Sequence, residues 1–472
     1  MRAPIPSRGR VLPLLLAGTL SALTACGSDA GGGTEDPIDP LTGLPTGAPD
    51  PTQLDAAAPR DGGPALPPVP PKSNIEHVVI IMQENHTFDT YFGRYCKAAP
   101  GSNPTCTTGP ACCEAAPEKE PSGAAPRVLD DAANADYDPD HSYACEAAEM
   151  NGGKMDRFVT GANCSSRKNF AIAPDSVIAP YHALAQSYAM GDRYFQSIIG
   201  QTSSNNMYFA VARKVFIDND LFPDAIGQGC RPLVTKRQFS GQTTIADLVL
   251  DEGHRVSFYA EGYKLMRDAT PCPKDPPDCK SLNPLYAIYP CAYDPSDVPF
   301  NYYRQFTDNP AFLHDWEDFT IDLEAGDLPE VSYVKSIGYH TEHPGYGTKI
   351  TLGVGWTDAV IKRILASPYG KNTLILLTWD EGGGYFDHVA PPGGPSAADN
   401  EPLGTRVPIL AIGPFARKNY VSHVVMDHSS IVKFLEWRFT GKTGQLAARD
   451  ALVNNIGSLL DPATTGIPVP EN

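Results

Sequence analysis

The chain has 472 residues, 37 basic against 55 acidic, a formal net charge of −18, and 42% apolar residues. That length and apolar fraction suffice to bury a large core, which excludes wholesale disorder. The acidic excess excludes non-specific nucleic-acid binding and adhesion to anionic lipid through a basic patch, so no nucleic-acid partner is expected.

At the start of the chain, Arg2, Arg8 and Arg10 precede an uncharged, mostly apolar stretch at residues 11–23. It is too short to span a bilayer as a mature helix, so no integral membrane domain is expected. The layout is that of a secretory signal over residues 1–25. Leu23-Thr24-Ala25-Cys26 resembles a lipobox, which predicts export and an N-terminal lipid anchor on Cys26 in the cell envelope. Gly27 after that cysteine, rather than Asp, favours the outer membrane by resemblance to bacterial lipoproteins; an ordinary signal peptide and a secreted product are the alternative. Residues 26–72 are rich in Pro and Gly and carry no aromatic side chain, so they cannot bury enough surface to offset their ordering entropy. They read as a linker, which leaves residues 73–472 as the folded domain.

Beyond Cys26 there are ten cysteines, all before residue 300 and none in a CxxC pair. An even set of this kind in an exported chain predicts disulfides, with connectivity left open. Residues 78–82 are apolar on both faces, as a buried parallel strand should be, and similar runs recur at 256–259, 331–334, 374–377 and 407–412. Helical periodicity is clearest at 356–365 and 429–439. The alternation predicts an α/β sandwich around a largely parallel sheet. The Cys- and Pro-rich stretches at 97–140 and 271–297 read as disulfide-pinned insertions near the active face.

Two of these strands run into charged clusters at their carboxyl ends, Gln83-Glu84-Asn85-His86 and Thr378-Trp379-Asp380-Glu381-Gly382-Gly383-Gly384. In an open parallel sheet the ligand crevice lies outside the carboxyl ends of the strands, so both clusters face one site. Glu84, Asp380, Glu381 and the Asn85 amide oxygen together make a site for a hard divalent cation, which would relieve the mutual repulsion of the carboxylates. Either cluster alone reads as a polar loop capping a strand; the two together, beside a glycine triplet that lets backbone approach a ligand, point to function. Gly200-Gln201-Thr202-Ser203-Ser204-Asn205-Asn206 precedes an apolar helical run, and two readings stay open: an ordinary helix N-cap, or a hydroxyl placed where helix N–H groups hold an anion. His141, His340, His343, His388 and His428 are the proton-transfer candidates. His428 reads as a helix-start hydrogen bond, whereas His343, following the strand at 331–334, should reach the same sheet edge.

The segment Ile75-Glu76-His77-Val78-Val79-Ile80-Ile81-Met82-Gln83-Glu84-Asn85-His86-Thr87-Phe88-Asp89-Thr90-Tyr91-Phe92-Gly93 resembles the opening of the bacterial phosphoesterase family. That family includes phospholipases C acting on phosphatidylcholine-type lipids and an acid phosphatase, and belongs to the alkaline-phosphatase-like superfamily. Asn151-Gly152-Gly153-Lys154-Met155-Asp156, Glu342-His343-Pro344, Thr378-Trp379-Asp380-Glu381 and Asp427-His428-Ser429 match in the family's order. The resemblance implies an alkaline-phosphatase-like αβα sandwich, with residues 73–472 as the catalytic domain. It implies metal ligands at Glu84, Asn85, Asp380 and Glu381, and a hydroxyl nucleophile, also a ligand, at Thr202. Active-site histidines fall on His141 and His343, with His340 and His388 less well matched. The metal would be Mg²⁺, Ca²⁺, Mn²⁺ or Zn²⁺. Ser204, Asn206, Gly382 and His86-Thr87 depart from the family pattern; Ser204 and Asn206 stand where its phospholipases typically have Pro and Arg.

The expected activity is hydrolysis of phosphate esters, with phosphodiesters such as phospholipids ahead of phosphomonoesters. The rival of another class is a non-catalytic surface lipoprotein that binds phosphorylated ligands, for which a nucleophile would serve no purpose.

Overall fold

The computed structural model describes residues 72–472 apart from 231–233, 270–271, 275–278, 280–288 and 395. The chain divides into two units, residues 1–64 and 65–472. The expected signal, Cys26 with its anchor, and the linker up to residue 71 lie outside the described residues. No helix among the described residues is long and apolar enough to cross a membrane.

Each apolar run becomes a strand of one eight-stranded sheet. In chain order these are β1 (His77–Gln83), β2 (Ala189–Gly191), β3 (Val256–Ala260), β4 (Leu313–Asp315), β5 (Val331–Lys335), β6 (Thr373–Trp379), β7 (Ile409–Ile412) and β8 (Tyr420–Ser422). Their spatial order is β8-β2-β7-β6-β1-β5-β3-β4. Central β1 is buried throughout and pairs in parallel with both β5 and β6. Continuous apolar sequence is what a strand covered on both faces requires.

The run at 407–412 departs from the parallel pattern, because β7 is antiparallel to both β6 and β2. Residues 380–408 join β6 to β7 with no helix among the described residues, so the chain re-enters the sheet at the end it left. The three-residue strands β2, β4 and β8 are too short to show a hydrophobic period.

The main helices are α1 (Phe88–Phe92), α2 (Tyr143–Met150), α3 (Asp175–Ser187), α4 (Thr202–Val211), α5 (Ile350–Ala366) and α6 (His428–Thr440). Sheet register places α3 and α4 on opposite faces. Tyr333 pairs with Ile80, which pairs with Leu376, and the Tyr333 hydroxyl reaches the Phe209 carbonyl of α4. Trp379, three residues beyond Leu376, points the other way and meets the rings of Tyr91 and Tyr181. Helix α5 packs on α3, and α6 packs on α4, so the layers are helix, sheet, helix. Helix α5 starts six residues before the expected one, since Gly353 and Gly355 blur its period. Gly353 is required there, because a β-carbon would overlap the Glu342 side chain.

All ten cysteines are paired: Cys96–Cys113, Cys106–Cys112, Cys145–Cys164, Cys230–Cys272 and Cys279–Cys291. The first two pin the 97–140 insertion, and Cys279–Cys291 closes the second, most of whose residues lie outside the described set. Both insertions contribute to the pocket described next, through Asp138 and through Asp294 and Asp297.

Candidate active site

The loops leaving β1 and β6 lie back to back. Asn85 adopts a left-handed backbone (φ 62°), and its amide N–H donates to Asp380 Oδ1 at 3.3 Å. Gly383 has a positive φ as well, and a β-carbon there would overlap the Asn85 carbonyl. The glycine triplet therefore serves loop against loop packing rather than approach to a ligand.

Thr202 is the first residue of α4, with Gln201 as N-cap. Its Oγ1 donates to Glu381 Oε1 at 3.2 Å and lies 3.5 Å from Asn85 Oδ1, at the long limit of a hydrogen bond. The Asn85 Nδ2 group points at His343 Nε2 (3.1 Å) and His141 Nε2 (3.4 Å). Each imidazole donates its Nδ1 proton to a backbone carbonyl at 2.7 Å, His141 to Pro139 and His343 to Pro344. That fixes the tautomer and leaves both Nε2 atoms as acceptors facing the site. The anion-cradle reading of this helix start finds less support, since the N–H groups of Ser203 and Ser204 already donate to Asn219 Oδ1 and the Asp218 carbonyl.

Supporting groups set this geometry. Asp218 Oδ1 accepts from the backbone of both Tyr143 (2.7 Å) and Gln201 (3.3 Å), tying the segment after His141 to the residue before Thr202. Buried Glu146 accepts from Gly200 N at 2.8 Å and Gln196 Nε2 at 2.9 Å, and burial raises its carboxyl to about 7. Glu342 collects the hydroxyls of Tyr91 and Tyr181, Gln83 Nε2 and Trp379 Nε1, which draws the loop after β5 inward and aims His343 at Asn85. His428, at the start of α6, donates from Nε2 to the Asp380 carbonyl at 2.6 Å.

The carboxylates carry the electrostatic mark of missing positive charge. Burial outweighs the attraction of the Lys335 ammonium and, with repulsion from Glu84 added, pushes Asp380 up to about 6. Burial followed by the Asp380 and Glu146 charges pushes Glu381 further up. Asp380 Oδ2 is buried without a hydrogen-bond partner among the described residues. An orphaned carboxylate oxygen among acids that resist ionisation fits a bound cation. Glu84 differs: burial would raise its carboxyl, but the Lys335 ammonium, with His343 behind it, outweighs this and holds it low.

The structure thus brings together Asn85, Thr202, Asp380, Glu381, His141 and His343, with Glu84 on the same pocket wall. It sets the other candidates apart. His340 pairs with Glu261 (2.9 Å), and His388 lies between Asp89 (2.8 Å) and Glu114 (3.0 Å). Sequence reasoning missed Lys335, although it stands at the carboxyl end of a recognised strand, and missed Tyr289, whose hydroxyl donates to Glu84 Oε2 at 3.3 Å. The pocket over the site is also lined by Asp138, Asp294, Asp297, Tyr289 and Tyr346.

Fold and site together define an α/β protein with an acid, amide and imidazole centre around one threonine hydroxyl. A model of the Phosphoesterase family matches residues 75–440, and the chain belongs to that family. The non-hemolytic phospholipase C of Pseudomonas aeruginosa is 27% identical over 405 residues, covering 78% of this chain and 54% of that protein. Phospholipase C B of Mycobacterium tuberculosis is 27% identical over 446 residues, covering 85% and 80%. Non-specific phospholipase C1 of Arabidopsis thaliana is 23% identical over 425 residues, covering 80% and 69%. The chain thus spans about half the length of the Pseudomonas relative, 54%, and most of the Mycobacterium one. A solved protein of the alkaline phosphatase superfamily from Vibrio parahaemolyticus is similar over 58% of this chain and 63% of its own, at 13% identity and a TM-score of 0.32.

Proposed function

We propose that the chain is a divalent-metal-dependent phosphoesterase that hydrolyses phosphodiesters in the manner of a phospholipase C, with Thr202 as nucleophile. The observation that carries this reading is the setting of Thr202 Oγ1, between Glu381 Oε1 and Asn85 Oδ1 and one amide away from two imidazoles. Family membership and the phospholipase C names of the relatives support the reaction class.

The orphaned Asp380 oxygen and the raised Asp380 and Glu381 carboxyls fit Mg²⁺, Ca²⁺, Mn²⁺ or Zn²⁺. A divalent ion held by Asn85, Thr202, Asp380 and Glu381, with Glu84 beside them, would supply positive charge to phosphate oxygens and acidify the threonine hydroxyl. Thr202 releases its proton along the bond it already makes to Glu381 and attacks phosphorus in line. The bond from phosphorus to the leaving alcohol breaks as His141 or His343, having first taken up a proton on its free Nε2, passes that proton to the departing oxygen. Water then displaces the Thr202 oxygen from phosphorus, giving one proton to the same imidazole, while Glu381 returns the proton it took to the departing threonine oxygen.

The pocket wall favours diesters. Glu84, Asp138, Asp294 and Asp297 line it, and a singly charged diester meets less repulsion there than a doubly charged monoester. The test compares p-nitrophenylphosphorylcholine with p-nitrophenyl phosphate, with and without EDTA. Diester turnover that EDTA abolishes and added metal restores is expected. Preference for the monoester would instead establish the acid phosphatase alternative, and turnover indifferent to EDTA would contradict metal dependence.

The chain is also proposed to be exported and held to the envelope by lipid on Cys26. Five disulfides support an oxidising compartment. Cys26→Ser should move the protein from the membrane fraction to the soluble one; unchanged partitioning would contradict the anchor.

A further inference from the structure

Two imidazoles face Asn85 from distant parts of the chain, and one buried amide ties those parts together. The short helix Asp131–Asp136 lies in the first insertion, just before His141, and Asn134 is the residue it buries. Asn134 Nδ2 donates to the Glu342 carbonyl at 3.1 Å and lies 3.5 Å from the His343 carbonyl and 3.4 Å from Thr348 Oγ1. Its Oδ1 lies 3.1 Å from Nε2 of His86, whose ring is clamped between those of Tyr91 and Tyr385. Two carbonyls need a donor, so the amide takes this orientation and not the flipped one. The backbone extends the contact: Gly345 N donates to the Asn134 carbonyl at 2.6 Å and Gly347 N to the Ala135 carbonyl at 3.2 Å.

The loop gripped in this way needs an outside support. Glu342, Gly345, Tyr346 and Gly347 have left-handed φ values of 72°, 76°, 53° and 77°. For Glu342 and Tyr346 that region is unfavourable, and such a backbone persists only where its surroundings fix it. The Glu342 carboxylate is held by the four donors described above, and Asn134 holds its carbonyl. That carbonyl belongs to the Glu342–His343 peptide, whose rotation would turn the imidazole away from Asn85. Asn134 does not line the pocket, so it can serve the reaction only through another residue.

We propose that Asn134 is a positioning residue for the reaction: it fixes the Glu342–His343 peptide, so that the insertion that supplies His141 also sets His343 beside it. The two rings stand 6.0 Å apart between centroids. The inference rests on the phosphodiesterase reading above.

The test is a double-mutant cycle between Asn134 and His343, read as kcat and KM on dibutyroylphosphatidylcholine, with a melting temperature for each variant. Asn134→Ala should fold, lose about 10- to 100-fold in kcat and change KM by less than about threefold, because a misplaced group is felt in the transition state. In a His343→Ala chain the same substitution should cost less than about threefold more, since no imidazole is left to aim. Asn134→Leu, which refills the space without a donor, should not recover the loss. Additive losses in the cycle, recovery in the Leu variant, or a change confined to KM overturns the proposal. So does failure of both variants to fold, which would make Asn134 a residue the fold requires rather than one that aims an imidazole. Wild type inactive on this diester and on p-nitrophenylphosphorylcholine, or His343→Ala as active as wild type, overturns the reading beneath the inference. An active wild type and an impaired His343→Ala, with Asn134→Ala at full kcat, overturns this inference alone.

Discussion

The Thr202 hydroxyl donates to Glu381 Oε1 at 3.2 Å although 179 residues separate them in the chain. One is carried by the first turn of a helix and the other by the loop that follows a central strand. The contact exists because Gly382 N is bonded to Gln196 Oε1 and Gly200 N to Glu146, which hold the loop and the helix start against each other. A hydroxyl whose proton is already directed at a carboxylate is prepared for nucleophilic attack.

His141 and His343 present equivalent Nε2 atoms, and leaving-group chemistry separates their roles. Replacement of either by Ala should lower turnover of an alkyl phosphodiester about 100- to 10,000-fold. The variant lacking the general acid should recover most of that loss on a p-nitrophenyl diester, whose alcohol leaves without a proton. The variant lacking a phosphate-binding imidazole should lose equally on both. Rate constants on the two substrates are the measurement, and equal losses for both variants would mean that neither histidine protonates the leaving group.

His428 acts through Asp380. It donates to the Asp380 carbonyl at 2.6 Å, meets the Tyr194 hydroxyl at 2.9 Å through Nδ1, and stacks on Phe209 of α4. Burial lowers the imidazole to about 3, so it is neutral at ordinary pH. His428→Phe keeps the ring and leaves two buried polar groups unpaired, which should cost about 1–3 kcal/mol for each. Urea denaturation would read the loss, and metal titration should show weaker binding because the Asp380 backbone is no longer fixed.

His388 ties the disulfide-pinned insertion to the body in a pH-dependent way. Its two nitrogens face Asp89 and Glu114, Arg406 and Asp387 lie behind, and Glu114 also accepts from Gly101 N, Asn103 N and Arg193. Burial would lower the imidazole, but Asp89 outweighs it and raises it above 6.5. The raised value means that this stabilisation is complete below about pH 6.5, the unfolded-state value, and is lost as pH rises through the folded-state value. Urea midpoints should therefore fall with rising pH above neutrality, and His388→Gln should flatten that slope.

Arg406 anchors the same network and is fully buried. It donates to Asp387 Oδ1 at 2.8 Å, Asp89 Oδ1 at 3.1 Å and the Asp192 carbonyl at 3.0 Å. Arg406→Met strands the buried Asp387 carboxylate and leaves Asp89 with His388 as its one charged partner among the described residues, which should cost about 3–5 kcal/mol, read as a lower denaturation midpoint.

Much of this arrangement was legible from residue order. Val78, Val79, Ile80 and Ile81 announce a strand covered on both faces, and the rule that ligands gather at strand carboxyl ends brings Glu84 and Asp380 together before any coordinates exist. His141 was one of five candidate histidines and was singled out only through family resemblance, because its place depends on Asp218 bonding Tyr143 N and Gln201 N, and nothing local signals such a tie. Lys335 was hidden for another reason: a lone lysine after an apolar run ordinarily reads as a solvated strand end, and its burial depends on acids contributed by β1, β6 and the second insertion. The direction of β7 was likewise invisible, since it follows from the connection rather than from the strand's own residues.

The most direct test of the account is the turnover of Thr202→Ala and Thr202→Ser on a phosphodiester, with melting temperature as the control. Thr202 is not the helix N-cap, so the Ala variant should fold with little loss of stability. It should lose at least about 1,000-fold in kcat, while Ser, which keeps a hydroxyl, should retain measurable turnover. A folded Ala variant within about tenfold of wild type would contradict the assignment of Thr202 as nucleophile.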